Sequence, residues 1–158
     1  MRVSILTISD SVAAGRVEDR SGQVVAARCK ELGWDVVASA VCADDRPAIE
    51  EFLREAADAA GADVLLTTGG TGLGPRDVTP EATAAVVERL IPGLPEQMRA
   101  AGVAKTRRAL LSRAAAGIRG KTIILNLPGS PRGAVESLDA VADLLPHAVA
   151  VLHGARHD

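Results

Sequence analysis

The stretch Asp63-Val-Leu-Leu-Thr-Thr-Gly-Gly-Thr-Gly72 is a short apolar run that ends in a glycine-rich turn. The run does not alternate between apolar and polar residues, as a strand with one face in water would. Its near-continuous apolar character is typical of strands that are covered on both faces, as in parallel sheets. Residues 63–68 therefore predict a buried parallel strand, and the glycines predict a turn at its carboxyl end.

Three further segments have the same character, namely residues 3–8, 35–41 and 122–127. The segments between them carry apolar residues at helical spacing. They begin at residues that commonly start helices, which are Ser21, Pro47, the Thr79-Pro80 pair and Pro131. Strands that alternate with helices predict an α/β fold, here a three-layer αβα domain with a mostly parallel sheet. A length of 158 residues suits one domain, so we expect residues 1–158 to form a single domain.

The apolar stripes also predict where the helices end. The second helix carries its stripe as far as Ala60, the third as far as Leu90, and the fourth as far as Leu145, where Pro146 kinks or restarts it. Residues 92–121 fit the alternation less well. A short helix is predicted around residues 95–101, followed by an irregular excursion and a turn at Gly120-Lys121.

The composition argues against two classes of partner. The formal net charge is −2 and aromatic residues make up 1% of the chain, whereas nucleic-acid-binding proteins usually have a basic face or aromatic stacking platforms. No apolar run is long enough to span a membrane, and residues 1–6 resemble a strand rather than a signal peptide. We therefore expect a cytoplasmic protein with no nucleic-acid or membrane partner. The histidines His147, His153 and His157 lack the spacing of metal ligands.

Small, polar and acidic residues follow all four predicted strands. They are Ser9-Asp10-Ser11, Asp44-Asp45, the segment 67–72 and the segment 126–131. The carboxyl ends of parallel strands meet at one edge of a sheet, and ligands bind beyond that edge. We expect the site at this edge, which we call the rim.

The glycine turn is the strongest element of the rim. Three glycines, Gly69, Gly70 and Gly72, allow positive φ angles and a close approach of the backbone to an anion. The two common phosphate motifs do not match, because the chain has no Gly-Lys-Ser/Thr tripeptide, and a dinucleotide fingerprint starting at Gly70 would require glycine where Pro75 stands. A plain strand-to-helix turn is the alternative.

Charged residues next to the turn have two interpretations each. Asp77 precedes a helix start, where it either caps the helix or holds Mg²⁺ against bound phosphates. Asp44 either belongs to an ordinary loop before the Pro47 helix or joins Asp77 in one pocket, which would suit metal-assisted phosphoryl or nucleotidyl transfer. Arg113 is either a phosphate clamp or a surface arginine.

Several segments together resemble one family. Residues 66–72 (Leu-Thr-Thr-Gly-Gly-Thr-Gly) and 76–83 (Arg-Asp-Val-Thr-Pro-Glu-Ala-Thr) are similar to the signature of MogA/MoaB proteins and of the gephyrin G domain. Residues 7–11, the Leu111-Ser-Arg113 segment and residues 126–131 match the other recurrent stretches of that family. The resemblance runs over nearly the whole chain.

The resemblance implies a function in molybdenum cofactor biosynthesis. It implies that the protein binds molybdopterin, and that Mg-ATP adenylylates the terminal phosphate of that pterin to give adenylyl-molybdopterin and pyrophosphate. Asp44 and Asp77 match the residues assigned to catalysis and magnesium. A homotrimer and a molybdenum insertase that takes the product are the implied partners. The alternative is a carrier or scaffold that binds molybdopterin in the same pocket without catalysis.

The rim and the resemblance together give the candidate substrate and nucleotide contacts. They are Ser9, Asp10, Thr68, Gly69, Gly70, Thr71, Gly72, Arg76, Thr79, Ser112, Arg113, Asn126, Pro128, Gly129 and Ser130. A dinucleotide-binding oxidoreductase is the weakest alternative, because Pro75 breaks the fingerprint that such a protein needs.

Overall fold

A computed structural model describes residues 1–59 and 61–156 of the chain. Ala60 on the predicted second stripe, and His157 among the predicted non-ligand histidines, lie outside the described residues. The described residues form a six-stranded sheet with the strand order β2-β1-β3-β6-β5-β4. The strands are β1 (Arg2–Ile8), β2 (Asp35–Cys42), β3 (Val64–Thr68), β4 (Arg89–Leu90), β5 (Ala116–Arg119) and β6 (Thr122–Leu127).

The four predicted strands are confirmed as the parallel part of the sheet. β1 pairs in parallel with β2 and β3, and β3 pairs in parallel with β6. Every residue of β3 and β6 is buried, as their continuous apolar runs predict. For β2 the prediction of burial on both faces is wrong, because this strand lies at the edge of the sheet and none of its residues is buried. β5 and β4 extend the sheet in antiparallel pairings, and they were not predicted. The predicted turn at Gly120-Lys121 joins β5 to β6, with Gly120 at a φ of 55°.

Helices cover both faces of the sheet, which confirms the three-layer α/β fold. The helices are α1 (Asp10–Ala13), α2 (Arg20–Glu31), α3 (Arg46–Asp58), α4 (Thr79–Val86), α5 (Gly93–Val103), a 3-10 helix (Arg107–Leu111), α6 (Pro131–Asp139) and α7 (Leu145–Leu152). Buried side chains of α2, α5, α6 and α7 pack on one face of the sheet. Those of α3 and α4 pack on the other face. Within the described chain, no helix is long and apolar enough to cross a membrane.

The helix starts differ from the predictions in two places. Ser21 was expected to cap α2, but Asp19 does so by accepting the Gly22 N–H at 2.8 Å, and Ser21 lies buried in the first turn. The helix predicted to open at Pro47 begins one residue earlier, with Asp45 as its cap.

The helix ends differ as well. Leu90 was placed on the third helix, but α4 ends at Val86 and Leu90 belongs to β4. The stripe that was expected to continue to Leu145 breaks after Asp139, and α7 begins a new helix at Leu145. The predicted short helix at residues 95–101 is longer, since α5 spans Gly93–Val103.

Candidate active site at the carboxyl rim

Two cavities open at the predicted rim. One has a volume of about 720 Å³ and lies beside the loops that follow β1 and β2. The other has a volume of about 1000 Å³ and lies beside α5, the 3-10 helix and α6. Three residues line both cavities, namely Gly70, Asp77 and Gly129. Two ligands that occupied the two cavities would therefore meet at the glycine turn and the Asp77 carboxylate.

Positive φ angles shape the glycine turn. Gly69 has a φ of 107° and Gly70 a φ of 67°. Residues other than glycine rarely adopt such backbone angles. A Cβ at Gly69 would lie 2.1 Å from the carbonyl oxygen of Ile8, so the turn touches the end of β1 directly. The buried Thr79 hydroxyl donates to the Gly69 carbonyl at 2.9 Å. This contact ties the turn to the first residue of α4.

The hydrogen bonds of the turn decide which amides are available to a ligand. The Gly69 N–H donates to Leu127 O at 3.1 Å and therefore belongs to the fold. In the part of the chain that the structure describes, the bonds of the turn do not use the N–H groups of Gly70, Thr71 and Gly72. These three amides are the ones that remain for an anion, which refines the expectation that all the glycines contribute.

Asp77 lies one residue before the capping position of α4 and does not cap the helix. Its carboxylate accepts the N–H of Gly74 at 2.9 Å, and α4 has Val78 in the capping position with no side-chain hydrogen bond. The helix-cap interpretation of Asp77 is therefore wrong. A Cβ at Gly72 or at Gly74 would come within 2.9 Å of the Asp77 Oδ2. The two glycines make room for the carboxylate at the junction of the cavities.

Two further aspartates, Asp10 and Asp44, lie beside the turn. Asp10 and Asp44 exchange hydrogen bonds, because the Asp10 N–H donates to Asp44 Oδ2 at 2.9 Å and the Asp44 N–H donates to Asp10 Oδ1 at 3.0 Å. Burial raises the pKa of Asp44, and the charges of Asp10 and Asp77 raise it further. A carboxylate destabilised in this way is suited to receive a cation.

The structure separates the Asp44-Asp45 pair into two roles. The Asp45 carboxylate accepts the Ala48 N–H at 3.1 Å and caps α3. Asp44 instead lines the 720 Å³ cavity. Only the first of the two adjacent aspartates therefore belongs to the candidate site.

Arg76 spans the loops that follow β1 and β3. Its guanidinium donates to both carboxylate oxygens of Asp10, at 3.0 Å from Nε and 2.9 Å from Nη2. The hydrogen bond from Arg76 is the main reason that the pKa of Asp10 lies below its usual value. Both side chains are partly exposed. The pair crosses the rim at the surface.

Two predicted contact residues lie behind the cavity walls. Asn126 is fully buried, and its amide group accepts the Ala115 N–H and donates to the hydroxyls of Thr67 and Thr83. Thr79 is fully buried against the turn. Neither residue lines either cavity, and both side chains hold the loops in place from the protein interior.

Arg113 also differs from its predicted role as a phosphate clamp. Its guanidinium donates to the carbonyls of Gly72 and Asp77, at 2.7 Å and 2.8 Å, and pairs with Glu81. All three nitrogens of the guanidinium therefore have protein partners. The surface-arginine interpretation is also incomplete, because Arg113 holds the loop that carries Asp77.

The remaining predicted contacts are at the cavity walls. They are Ser9 and Thr68 with Gly69 in the 720 Å³ cavity, and Thr71, Gly72, Ser112, Pro128 and Ser130 in the 1000 Å³ cavity. Some of them also hold the fold, since the Thr68 hydroxyl donates to Pro128 O and the Ser130 hydroxyl caps α6.

Sequence reasoning missed the basic side of the larger cavity. Arg99 on α5, Lys105 after it and Arg108 on the 3-10 helix line this cavity. Arg99 lies in the predicted short helix and the other two residues in the stretch that was expected to be irregular, and neither prediction placed these residues at the rim. The Arg107-Arg108 pair and Lys105 are the local charge signal that could have indicated an anion-binding wall.

The acidic groups suit magnesium better than a metal with an all-protein cage. Among residues 1–59 and 61–156, no group of three or more histidine, cysteine, aspartate or glutamate side chains could hold a metal ion. Mg²⁺ in nucleotide enzymes is usually held by one or two carboxylates together with substrate phosphates. Asp44 and Asp77 are a donor set of that kind.

Comparison with known proteins identifies the family. Residues 4–147 match the model of the family described as "Probable molybdopterin binding domain". The chain belongs to the MogA/MoaB family of molybdopterin-binding proteins. Its function lies in molybdenum cofactor biosynthesis.

Relatives of this MogA/MoaB protein carry two kinds of name. The molybdopterin adenylyltransferase of Helicobacter pylori is 37% identical, and the alignment covers 98% of this chain and 89% of that protein. The crystal structure of the molybdopterin biosynthesis enzyme MoaB from Thermus thermophilus is 47% identical with a TM-score of 0.92, over 99% of both chains.

A third relative is longer. The molybdenum cofactor biosynthesis bifunctional protein of Synechococcus elongatus is 40% identical over 98% of this chain, but the chain spans only 48% of that protein.

Proposed function

We propose that this protein adenylylates molybdopterin with Mg-ATP and releases pyrophosphate. The observation that carries the proposal is the position of Asp77, which lines both cavities together with Gly70 and Gly129. A reaction between two bound substrates needs such a junction, because the reacting groups must meet in line. The relative named molybdopterin adenylyltransferase supports the same conclusion.

The chemistry needs charge neutralisation more than a nucleophilic side chain. An oxygen of the molybdopterin terminal phosphate attacks the α-phosphorus of ATP, a new P–O bond forms, and the bond to the bridging oxygen of the β-phosphate breaks as pyrophosphate leaves. The attacking phosphate is ionised near neutral pH, since its second pKa is about 6. The barrier therefore comes from bringing two anions together.

Residues of the rim suit that task. The amides of Gly70, Thr71 and Gly72, which line the larger cavity, would receive phosphate oxygens. Asp44 and Asp77 would hold Mg²⁺. When bound, the ion would neutralise phosphate charge and orient the triphosphate. The basic wall of the larger cavity, which includes Lys105 and Arg108, adds positive charge for one of the anionic substrates.

The proposal can be tested by replacing single aspartates with asparagine. The assay measures the pyrophosphate that is released when both molybdopterin and ATP are present. Asp77→Asn removes the charge but keeps an acceptor for the Gly74 N–H. We expect turnover to fall by at least about 100-fold, because charge stabilisation at the reacting phosphates is lost. Molybdopterin binding, followed by pterin fluorescence, should remain within a few fold.

The matched control is Asp45→Asn. Asp45 stands next to Asp44 but caps α3, and asparagine caps helices as well as aspartate does. The control should retain wild-type turnover. Wild-type turnover in Asp77→Asn at saturating Mg²⁺ would contradict the assignment of Asp77. A wild-type protein that binds molybdopterin and forms no pyrophosphate would instead be a carrier.

A further inference from the structure

Arg113 makes four hydrogen bonds to one short segment. Its backbone N–H donates to Thr71 O at 2.9 Å, Nε donates to Gly72 O at 2.7 Å, Nη2 donates to Asp77 O at 2.8 Å, and Nη1 pairs with Glu81. Together these bonds connect the glycine turn, the proposed metal ligand and the first turn of α4.

We propose that Arg113 is a positioning residue that fixes residues 71–81 so that the Asp77 carboxylate stays at the junction of the two cavities. The proposal rests on the proposed function for its catalytic consequence. The effect of Arg113 on the mobility of residues 71–81, which we call the brace, can be measured without any substrate. Arg113 acts through the backbone of Asp77 and through Glu81, and its guanidinium nitrogens are occupied by these contacts.

The loop around Asp77 needs a brace because the contacts of Asp77 within the loop are short in range. The long-range ion pair of this loop, from Arg76 to Asp10, lies at the exposed surface. Gly72 and Gly74 leave room for the Asp77 carboxylate, but glycine also gives the backbone more conformational freedom than any other residue. Within residues 72–78, Asp77 and Gly74 bond mainly to one another, through the Asp77 N–H to Gly74 O and the Gly74 N–H to Asp77 Oδ2. Such a local pair can move as a unit unless something outside holds it.

Arg113 is itself firmly held. Arg99 donates from Nη1 to the carbonyls of Ser112 and Ala114, the residues on either side, at 3.3 Å each. The next residue, Ala115, donates its N–H to the buried Asn126 side chain of β6 at 3.0 Å. Arg113 therefore transmits the rigidity of the sheet to the loop of Asp77.

The arrangement requires arginine. The planar guanidinium presents donors in several fixed directions, and here they reach two carbonyls and a carboxylate at once. Lysine keeps the charge but has a single nitrogen, which cannot reach acceptors on Gly72, Asp77 and Glu81 in the same geometry. The hydrogen bond from Arg113 is the main reason that the pKa of Glu81 is lowered, so the pair is charged at neutral pH.

The first arm of the test measures the brace by amide hydrogen exchange in the ligand-free protein. The amides of Gly74 and Asp77 are hydrogen-bonded within the segment, and the Thr79 amide donates to the Gly70 carbonyl just before it. In Arg113→Lys and Arg113→Ala they should exchange at least about tenfold faster than in the wild type, because the charged bonds that hold the segment are gone. Glu81→Gln removes only the ion pair and should give a smaller increase in exchange rate. This variant keeps the test decisive if the Arg113 variants do not fold.

Arg119→Lys is the matched control. Arg119 also binds a carboxylate through two nitrogens and a backbone carbonyl, namely Asp58 and Val86 O, at a distance from the rim. The control variant should leave the exchange of the Gly74, Asp77 and Thr79 amides unchanged. Unchanged exchange of these amides in Arg113→Lys and Arg113→Ala would overturn the proposal.

The second arm measures the catalytic consequence. In Arg113→Lys the Mg²⁺ concentration for half-maximal turnover should rise at least about tenfold, the scale seen when partners of metal ligands are removed, while pterin binding changes little. Added guanidinium ion should restore turnover to Arg113→Ala and leave the Arg119 control unaffected. Faster exchange with unaltered Mg²⁺ dependence would overturn the positioning role. A wild type without turnover would reject the proposed function, and the exchange result would still decide the brace.

Discussion

Replacing Gly70 with alanine tests how the glycine turn is built. At the observed φ of 67°, an added Cβ would lie 2.2 Å from Thr79 Oγ1 and 3.3 Å from Thr79 Cβ. The left-handed backbone costs a residue with a Cβ about 1–2 kcal/mol. Displacing the Thr79 hydroxyl breaks its bond to the buried Gly69 carbonyl, which costs about 1–3 kcal/mol more. Gly70→Ala should therefore lower the free energy of unfolding by about 2–5 kcal/mol.

Three companion variants separate the backbone cost from the cost of the lost hydrogen bond. Gly15 has a φ of 72° and nothing within 4 Å of an added Cβ, so Gly15→Ala should show the backbone cost alone, about 1–2 kcal/mol. Thr79→Ala should cost about 1–3 kcal/mol through the lost hydrogen bond. In the double variant Gly70→Ala/Thr79→Ala, the hydroxyl that would clash is absent and the bond is lost only once.

The double variant should therefore be more stable than the sum of the single changes by about 1–3 kcal/mol. Denaturant unfolding followed by the fluorescence of Trp34, a largely buried side chain and the one tryptophan of the chain, supplies the free energies. Protein concentration is held fixed so that any assembly contributes equally. Additive losses, within about 0.5 kcal/mol, would refute the contact between Gly70 and the Thr79 hydroxyl.

Two further predictions concern the carboxylates and the assembly. Burial and the neighbouring charges raise the pKa of Asp44. Ionised Asp44 therefore lowers the stability of the folded state at pH values above its unfolded-state pKa of about 3.9. Asp44→Asn should raise the melting temperature at pH 7. The gain should vanish as the pH falls towards about 3, and an equal gain at both pH values would show that charge is not its cause. The family resemblance also predicts a homotrimer, which light scattering checks; a monomer at working concentration would reject it.

The central parallel strands were predictable because a strand that is buried on both faces is apolar at nearly every residue, whereas the edge strand β2 is apolar without being buried. Residues 64–68 and 122–127 are buried throughout, and their continuous apolar sequence reflects this directly. β4 has two exposed residues, and β5 contains Gly117 among only four residues. Such short strands are defined by their pairing partners, which a local pattern does not contain.

The position of the rim followed from topology, but the choice of partners did not. The ends of four parallel strands had to meet, which brought Ser9, Asp44 and Gly70 to one cavity. The sequence contains no local signal that Arg76 binds Asp10, 66 residues away, since that pairing depends on how two loops cross. The same is true of Arg113, whose side-chain partners lie between 32 and 41 residues earlier in the chain.

The predicted cap of α2 was wrong for a related reason. Asp19 and Ser21 are both good capping residues, and sequence alone does not choose between them. The Asp19 carboxylate also accepts the Thr7 hydroxyl from β1 at 2.8 Å. That tertiary contact fixes Asp19 outside the helix and leaves Ser21 within it.

The most direct test of the central claim is the product itself. The purified protein is incubated with molybdopterin and Mg-ATP, and the pterin fraction is examined by mass spectrometry. We predict a new species heavier by one adenylyl group, formed in a one-to-one ratio with pyrophosphate and absent when Mg²⁺ or ATP is omitted. Molybdopterin that binds the protein but returns with its mass unchanged would contradict the account.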